Sequence, residues 1–249
     1  MKSKLLAALI SATFVLSANA NPDKIREAIT KGFPGMEIKS VQPAATSGLW
    51  EVFNGSEIFY FDSEAKFFFP APLIDVASKA NLTQARLDKL LVVDFKSLPT
   101  GDAIQIVKGD GSRKLAVFAD PRCSYCKKLE TDIAGLTNAT VFVYLTPILG
   151  PESLTKANAI WCAPKPAEAW GKFMLSNIEP PAPARSDKCD ASAVTNNQAL
   201  ARKVGVRGTP TLIYEDGSRS YGLALPALET RLSEVKASIA SAPTKVATK

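Results

Sequence analysis

Hydrophobic and polar positions change their period several times along this 249-residue chain, and the changes divide it. Leu5 to Leu16 form a short apolar run behind Lys2 and Lys4 and ahead of Ala18, Asn19 and Ala20, the pattern of a secretory signal peptide cut after Ala20. From Asn21, NPDKIREAIT predicts a short helix with Asn21 as N-cap and Pro22 at its first position. Alternating or consecutive aromatic and β-branched residues then predict four strands, Met36–Val41, Leu49–Phe53, Ser56–Phe61 and Lys66–Phe69, with Asn54-Gly55 as a hairpin turn. The period becomes helical in NLTQARLDKLLVVDFKSL, where Leu87, Leu90, Leu91 and Phe95 recur on one face and Asn81 with Gln84 makes a capping box.

Beyond Pro99-Thr100-Gly101 the elements alternate. AIQIVKGDGSRKLAVFAD predicts two strands around Gly109-Asp110-Gly111, Pro121 to about Leu136 a helix, and TVFVYLT a third strand. A long helical stretch from Glu152 to about Val204 is broken by EPPAPARSDKCD. PTLIYEDGSRSYG predicts a hairpin with Asp216-Gly217 at its turn, and Pro226 to about Ile239 a closing helix. The tail SAPTKVATK has no apolar period and predicts no ordered element.

This organisation divides the chain into a signal peptide over residues 1–20, an α+β N-terminal domain over 21–80, a helical linker over 81–98, a strand-and-helix domain over 99–241 and a tail over 242–249. The N-terminal unit is small for a self-sufficient core, yet it holds Phe53, Phe59, Tyr60, Phe61, Phe67, Phe68 and Phe69 in one short sheet. We expect the sheet to pair with a second copy across an edge, the alternative being an ordinary sheet packed on the first helix.

Composition sharpens the picture in two ways. Net charge falls from +6 to +4 once Lys2 and Lys4 are removed, and the remaining charges are scattered, with no basic stripe interleaved with aromatics of the kind nucleic-acid binding needs. The chain has no histidine, which excludes a Ser-His-Asp triad, a Cys-His nucleophile and any His-containing zinc site.

Four cysteines remain, and export would place them in an oxidising compartment. Cys123 and Cys126 stand two residues apart where a strand runs into a helix, a thioredoxin-like redox arrangement. At a helix N-terminus the sulfur of Cys123 faces unpaired backbone N–H groups and the positive end of the dipole, which favour the thiolate, the attacking form. Cys126, one turn on, is expected to be more buried and to resolve a mixed disulfide. Ser124 and Tyr125, between them, influence the stability of the reduced pair. Lys127 and Lys128 are expected to be solvated helix lysines.

A zinc site would require all four cysteines in an irregular cluster, and a purely structural short-loop disulfide is the other alternative. If Cys123 and Cys126 are the redox pair, Cys162 and Cys189 are left for each other, as a staple worth about 3.5 kcal/mol in the chain-entropy model or as a second redox pair. No metal or other cofactor is expected. Thr209-Pro210 immediately precedes the strand Thr211 to Tyr214, where a cis bond would be a deliberate feature.

FADPRCSYCKKLE, AIWCA and GVRGTPTLIYEDG, in this order and at these intervals, resemble the DsbC/DsbG family of periplasmic thiol:disulfide interchange proteins, its DsbC members more closely. The resemblance covers essentially the whole chain after the leader. It implies a V-shaped homodimer built from an N-terminal dimerisation domain, a hinge linker and a thioredoxin-like domain with a helical insertion. It also implies that Cys123 attacks, Cys126 resolves, Cys162 and Cys189 form a structural disulfide, and Pro210 is a cis-proline facing the redox pair. Thr209 would offer backbone hydrogen bonds to an extended substrate.

The implied activity is isomerisation or reduction of non-native disulfides in misfolded exported proteins, with chaperone-like binding in the dimer cleft and a membrane thiol reductase of the DsbD type as electron donor. The rival readings are a DsbG-like reductase of sulfenylated cysteines and a non-catalytic holdase or assembly factor. Ser124-Tyr125 replaces the usual Gly-Tyr, and the tail is longer than in the best-known members; the first bears on redox poise.

Overall fold

A computed structural model describes residues 22–180, 189–221 and 228–241. The segment predicted to be a signal peptide, the predicted cap at Asn21, the centre of the Pro-rich break, Pro226 and the tail lie outside the described residues. The chain divides into two compact units, one ending at Leu82 and the other starting at Thr83.

In the first unit, α1 (Pro22–Gly32) buries Ile25 and Ile29, four residues apart on one face, against a meander of β1 (Ser40–Pro43), β2 (Leu49–Phe53), β3 (Ile58–Asp62) and β4 (Phe68–Phe69). All neighbouring strands are antiparallel in the order β1-β2-β3-β4, with Trp50 opposite Phe61 and Val52 opposite Phe59. The β2–β3 connection is wider than the two-residue turn that Asn54-Gly55 predicts. Phe53 pairs with Ile58, and the Asn54 side chain closes the loop by accepting from the Ser56 and Glu57 N–H groups at 2.9 and 2.6 Å, the self-capping that makes asparagine a turn residue. Phe67 and Phe69 are exposed at the β4 side of the sheet.

The second unit begins on α2 (Leu82–Leu90), which stops well short of the helix predicted to Leu98. Val92-Val93-Asp94 takes the chain elsewhere: the Val93 N–H donates to the Gly217 carbonyl at 3.2 Å, and the Asp94 carboxylate caps a single 3₁₀ turn over Phe95–Ser97. Two β-branched residues and an aspartate are poor helix formers, so the tertiary contact prevails over the apolar spacing that made Phe95 look helical. Buried Arg219 fixes the same junction by donating to the carbonyls of Leu91 and Val204.

A five-stranded sheet follows, in the order β5-β7-β6-β8-β9, from β5 (Ile104–Lys108), β6 (Arg113–Ala119), β7 (Ala139–Leu145), β8 (Thr211–Tyr214) and β9 (Arg219–Tyr221). Only β6 and β7 are parallel, joined across α3 (Ser124–Ala134). β6 and β7 are central and read as nearly continuous apolar runs because both faces are covered. Leu115, Val117 and Ala119 point into one core with α3, while Ala116 and Phe118 point into another with Phe142, Tyr144 and Ala201, the two-residue alternation of a strand. Between β7 and β8 the long helical stretch resolves into α4 (Pro151–Trp161), α5 (Pro166–Ser176) and α6 (Ser192–Lys203). Pro151 and Pro166 sit at the first positions of α4 and α5, where the missing N–H costs nothing. The closing helix α7 (Leu228–Ser241) buries Leu228, Leu232 and Val235.

Gly217 turns the β8–β9 hairpin at φ +82°, and a Cβ there would run into the Val93 carbonyl. Gly217→Ala should therefore lower unfolding stability by about 2 kcal/mol or more, read by denaturant titration of the whole chain; an unchanged midpoint would show that the junction is not rigid.

Candidate active site

Cys123 and Cys126 are both free thiols, placed by the junction between β6 and α3. The strand ends at Ala119, and Asp120 begins a tight turn: its side chain accepts from the Arg122 N–H at 2.7 Å and its carbonyl from the Cys123 N–H at 3.1 Å. This leaves Cys123 in an extended conformation as N-cap of α3, its Sγ accepting from the Cys126 N–H at 3.4 Å. A sulfur at this position is held by the helix terminus, whose backbone N–H groups and dipole favour negative charge on it. Across the site its Sγ–H points at the Thr209 carbonyl, 3.3 Å away, and the Thr209–Pro210 peptide is cis. Thr211 steadies that loop by donating from Oγ1 to the Gly208 carbonyl at 2.7 Å. Cys123, Cys126, Thr209 and Pro210, 83 or more positions apart in sequence for the two pairs, thus meet at one end of the sheet.

The two sulfurs are in different surroundings. Cys126 is 2 % exposed, and burial, followed by its hydrogen bond with Cys123 and that neighbour's charge, pushes its thiol far up from the ordinary value. Its thiol is therefore held in the protonated form. Ser124 and Tyr125 are exposed, so they lie open to whatever approaches Cys123. Lys127 is not a free surface lysine: its Nζ bonds Asn177 and lies 4.8 Å from the centre of the Phe173 ring, whereas Lys128 is exposed.

Cys162 and Cys189 are joined in a disulfide with their Cα atoms 5.7 Å apart. It links the end of α4 to the segment before α6, beside a 3.1 Å bond from Trp161 Nε1 to the Asp190 carbonyl. With those two sulfurs bonded to each other, the four-cysteine zinc cluster is not formed.

Two acidic residues that sequence reasoning passed over shape the site. Asp120, wholly buried, accepts from Arg122 N and Ser153 Oγ through Oδ1, and from Ile148 N and Leu149 N through Oδ2, all within 2.7–2.9 Å. It ties the turn carrying Cys123 to the loop after β7 and to α4. The Asp-Pro pair at a strand end was its only local signal. Glu130, one turn after Cys126 on the same buried face of α3, accepts from Trp170 Nε1 at 2.8 Å. Burial raises its carboxyl to about 7 from an ordinary 4.5, opposed by the Trp170 hydrogen bond and by the charge of Lys108.

Residues 100–236 match the family described as thioredoxin-like domain, and residues 16–84 match the disulfide bond isomerase protein N-terminal domain. The probable thiol:disulfide interchange protein DsbC of Bordetella pertussis is 40 % identical over 212 residues, covering 84 % of this chain and 74 % of its own length. The thiol:disulfide interchange protein DsbC of Escherichia coli K12 is 28 % identical over 232 residues, covering 91 % and 93 %. Among solved structures, a disulfide interchange protein from Neisseria gonorrhoeae superposes with a TM-score of 0.51 at 34 % identity, over 56 % of this chain and 99 % of its own.

Fold and comparisons together define a disulfide oxidoreductase and isomerase with an α+β N-terminal domain and a thioredoxin-like domain. Within that class, the chain belongs to the DsbC family of thiol:disulfide interchange proteins.

Two outcomes follow. Asp120→Ala leaves the buried Ser153 hydroxyl and the Ile148 and Leu149 N–H groups without their acceptor, so it should cost about 2–4 kcal/mol of stability and slow thiol exchange; a variant as stable and as fast as wild type would remove Asp120 from this role. For Glu130, the folded chain holds its proton up to about pH 7, the unfolded chain only to 4.5. Stability therefore falls as pH rises through that interval. Glu130→Gln, which can still accept from Trp170, should gain on wild type from pH 4.5 to 7 and then level off, by about 2–3 kcal/mol at most. A pH-independent difference in denaturant midpoints would contradict this.

Proposed function

We propose that Cys123 and Cys126 are the exchanging thiols and that the protein isomerises or reduces non-native disulfides in misfolded exported proteins. The observation that carries this reading is the placement of Cys123 Sγ at the N-cap of α3, accepting the Cys126 N–H and facing the Thr209 carbonyl of the cis-proline loop.

The Cys123 thiolate attacks one sulfur of a substrate disulfide. A Cys123–substrate S–S bond forms, the substrate S–S bond breaks, and the released substrate sulfur takes up a proton. A second substrate thiolate then attacks the substrate sulfur of the mixed disulfide, making a new substrate disulfide and regenerating the Cys123 thiolate, with no net electron transfer. Alternatively Cys126 attacks Cys123, its proton passing to the departing substrate sulfur. This leaves Cys123–Cys126 oxidised and the substrate reduced by two electrons, and a membrane thiol reductase of the DsbD type restores the dithiol. High burial keeps Cys126 protonated during the first step, so the attacking role stays with Cys123. Thr209 offers its backbone to an extended substrate segment, Ser124 and Tyr125 line its path, and the Cys162–Cys189 bridge is structural.

In this reading residues 1–20 direct export to the periplasm, and the N-terminal domain forms a homodimer whose cleft holds unfolded chain. Support comes from the open strands β1 and β4 at the two edges of the meander, and from Phe67 and Val76, 64 and 79 % exposed in this unit; exposed apolar surface of this kind marks association sites.

Reactivation of a scrambled multi-disulfide protein in glutathione buffer is expected with wild type and not with Cys123→Ser. Cys126→Ala should accumulate the mixed disulfide, visible by non-reducing electrophoresis. Equal reactivation by wild type and Cys123→Ser would contradict the assignment.

A further inference from the structure

The loop that carries Thr209 and Pro210 is attached at both ends to β9. After the loop, Thr211 pairs with Tyr221 and Ile213 with Arg219. Before it, α6 ends in a left-handed turn. Gly205, at φ +72°, donates to the Arg202 carbonyl at 3.2 Å, and the Val206 N–H donates to the Ala201 carbonyl at 2.8 Å, the paired bonds of a Schellman helix end. The carbonyl of Val204, the cap residue, is left for another donor, and Arg219 Nη1 donates to it at 3.0 Å. Between this turn and Thr209 lie Val206, Arg207 and Gly208.

The same guanidinium serves a second helix end. The Leu91 N–H closes the last turn of α2 on the Leu87 carbonyl at 2.8 Å, and the Leu91 carbonyl, past the helix, accepts from Arg219 Nη2. A Cβ on Gly205 would meet the Leu91 side chain at 3.5 Å and Arg219 Nη1 at 3.7 Å, so both lie against the turn. Arg219 is only 7 % exposed. A helix C-terminus presents unpaired carbonyls and the negative end of the dipole, so a buried cation between two such ends is favourably placed. The guanidinium fork puts separate N–H groups on the two segments, which the single nitrogen of a lysine does not.

We infer that Arg219 is a positioning residue for the exchange reaction: by holding the ends of α6 and α2 to β9, it sets where the cis-proline loop stands opposite Cys123. The inference rests on the exchange reading above and adds to it a residue that acts through the loop and not on the sulfur. The Thr209 carbonyl lies 3.3 Å from Cys123 Sγ, and in that reading the Thr209 backbone receives the extended substrate. Held by the Thr211–Tyr221 pair alone, the loop would be free to swing at its other end; the bond to Val204 removes that freedom. Loss of Arg219 therefore weakens the hold on a substrate backbone more than it changes the chemistry of the thiol.

The test uses full-length protein and two reagents with one leaving group: a short peptide with a central cysteine, and N-acetylcysteinamide, each in mixed disulfide with 2-nitro-5-thiobenzoate. Attack by Cys123 forms the Cys123–cysteine bond, breaks the reagent's disulfide and releases the coloured thiolate, giving a second-order rate constant for each. A change in the thiolate population of Cys123 enters both constants and cancels in their ratio. Wild type should favour the peptide. Arg219→Met, which keeps the length of the side chain and removes its donors, should lower the ratio about fivefold, the worth of about one backbone hydrogen bond. Arg113→Met is the comparison: Arg113 is also buried and donates to the backbone carbonyls of Asn138 and Glu229, but at the start of β6, the end away from Cys123. That variant should lose stability to denaturant and keep the wild-type ratio.

A wild-type ratio of one, an unchanged ratio in Arg219→Met, or an equal fall in Arg113→Met each overturns the positioning role and leaves the exchange reading standing. Failure of wild type to release the coloured thiolate from either reagent overturns both. If Arg219→Met does not fold, Arg219→Lys decides: it keeps the charge with one nitrogen in place of the fork, so its ratio should fall below that of wild type, and an unchanged ratio overturns the role.

Discussion

The buried carboxylate of Asp120 is the joint on which the active-site end of the second unit depends. A single acidic group taken out of water must find hydrogen bonds for its oxygens or it is costly, and here four donors from three segments converge on it. One donor belongs to the turn that presents Cys123, two to the loop after β7, and one to α4. The parallel pairing of β6 and β7 brings these segments to the same end of the sheet. Position of the thiol, shape of the neighbouring loop and docking of the first inserted helix are consequently one arrangement.

Chemistry follows from that geometry. The N-cap position gives Cys123 the helix terminus, while one further turn puts Cys126 in the core. Two identical side chains three residues apart are thereby made unequal: one sulfur caps a helix, and the other is buried and held protonated. The cis-proline loop, almost ninety residues later, supplies a backbone carbonyl opposite the first sulfur. The disulfide between Cys162 and Cys189 lies at the far end of α4, which it links to the segment before α6.

What could be read from the sequence was whatever depends on near neighbours. Strand β2, the helix after Cys123 and the β8–β9 hairpin were visible from alternation, spacing and Asp216-Gly217, and the family resemblance was visible from the two cysteine contexts and Thr209-Pro210. The turn at Asn54-Gly55 was located correctly but its width was not, because the Asn54 side chain bonds two amides and keeps four residues in the loop. The linker helix was drawn too long because Leu91 and Phe95 keep helical spacing, while the competing partners, Gly217 and Arg219, lie more than 120 residues away. Asp120 and Glu130 escaped notice for the same reason: their partners at Ile148, Ser153 and Trp170 become neighbours only in the fold.

The central claim is that the fold makes Cys123, and not Cys126, the thiol that reacts. Brief alkylation of the reduced native protein with iodoacetamide near pH 7, followed by peptide mass mapping of the two cysteines, tests it most directly. Label is expected first and predominantly on Cys123, with Cys126 labelled only after denaturation. Equal labelling of both, or faster labelling of Cys126, would contradict it.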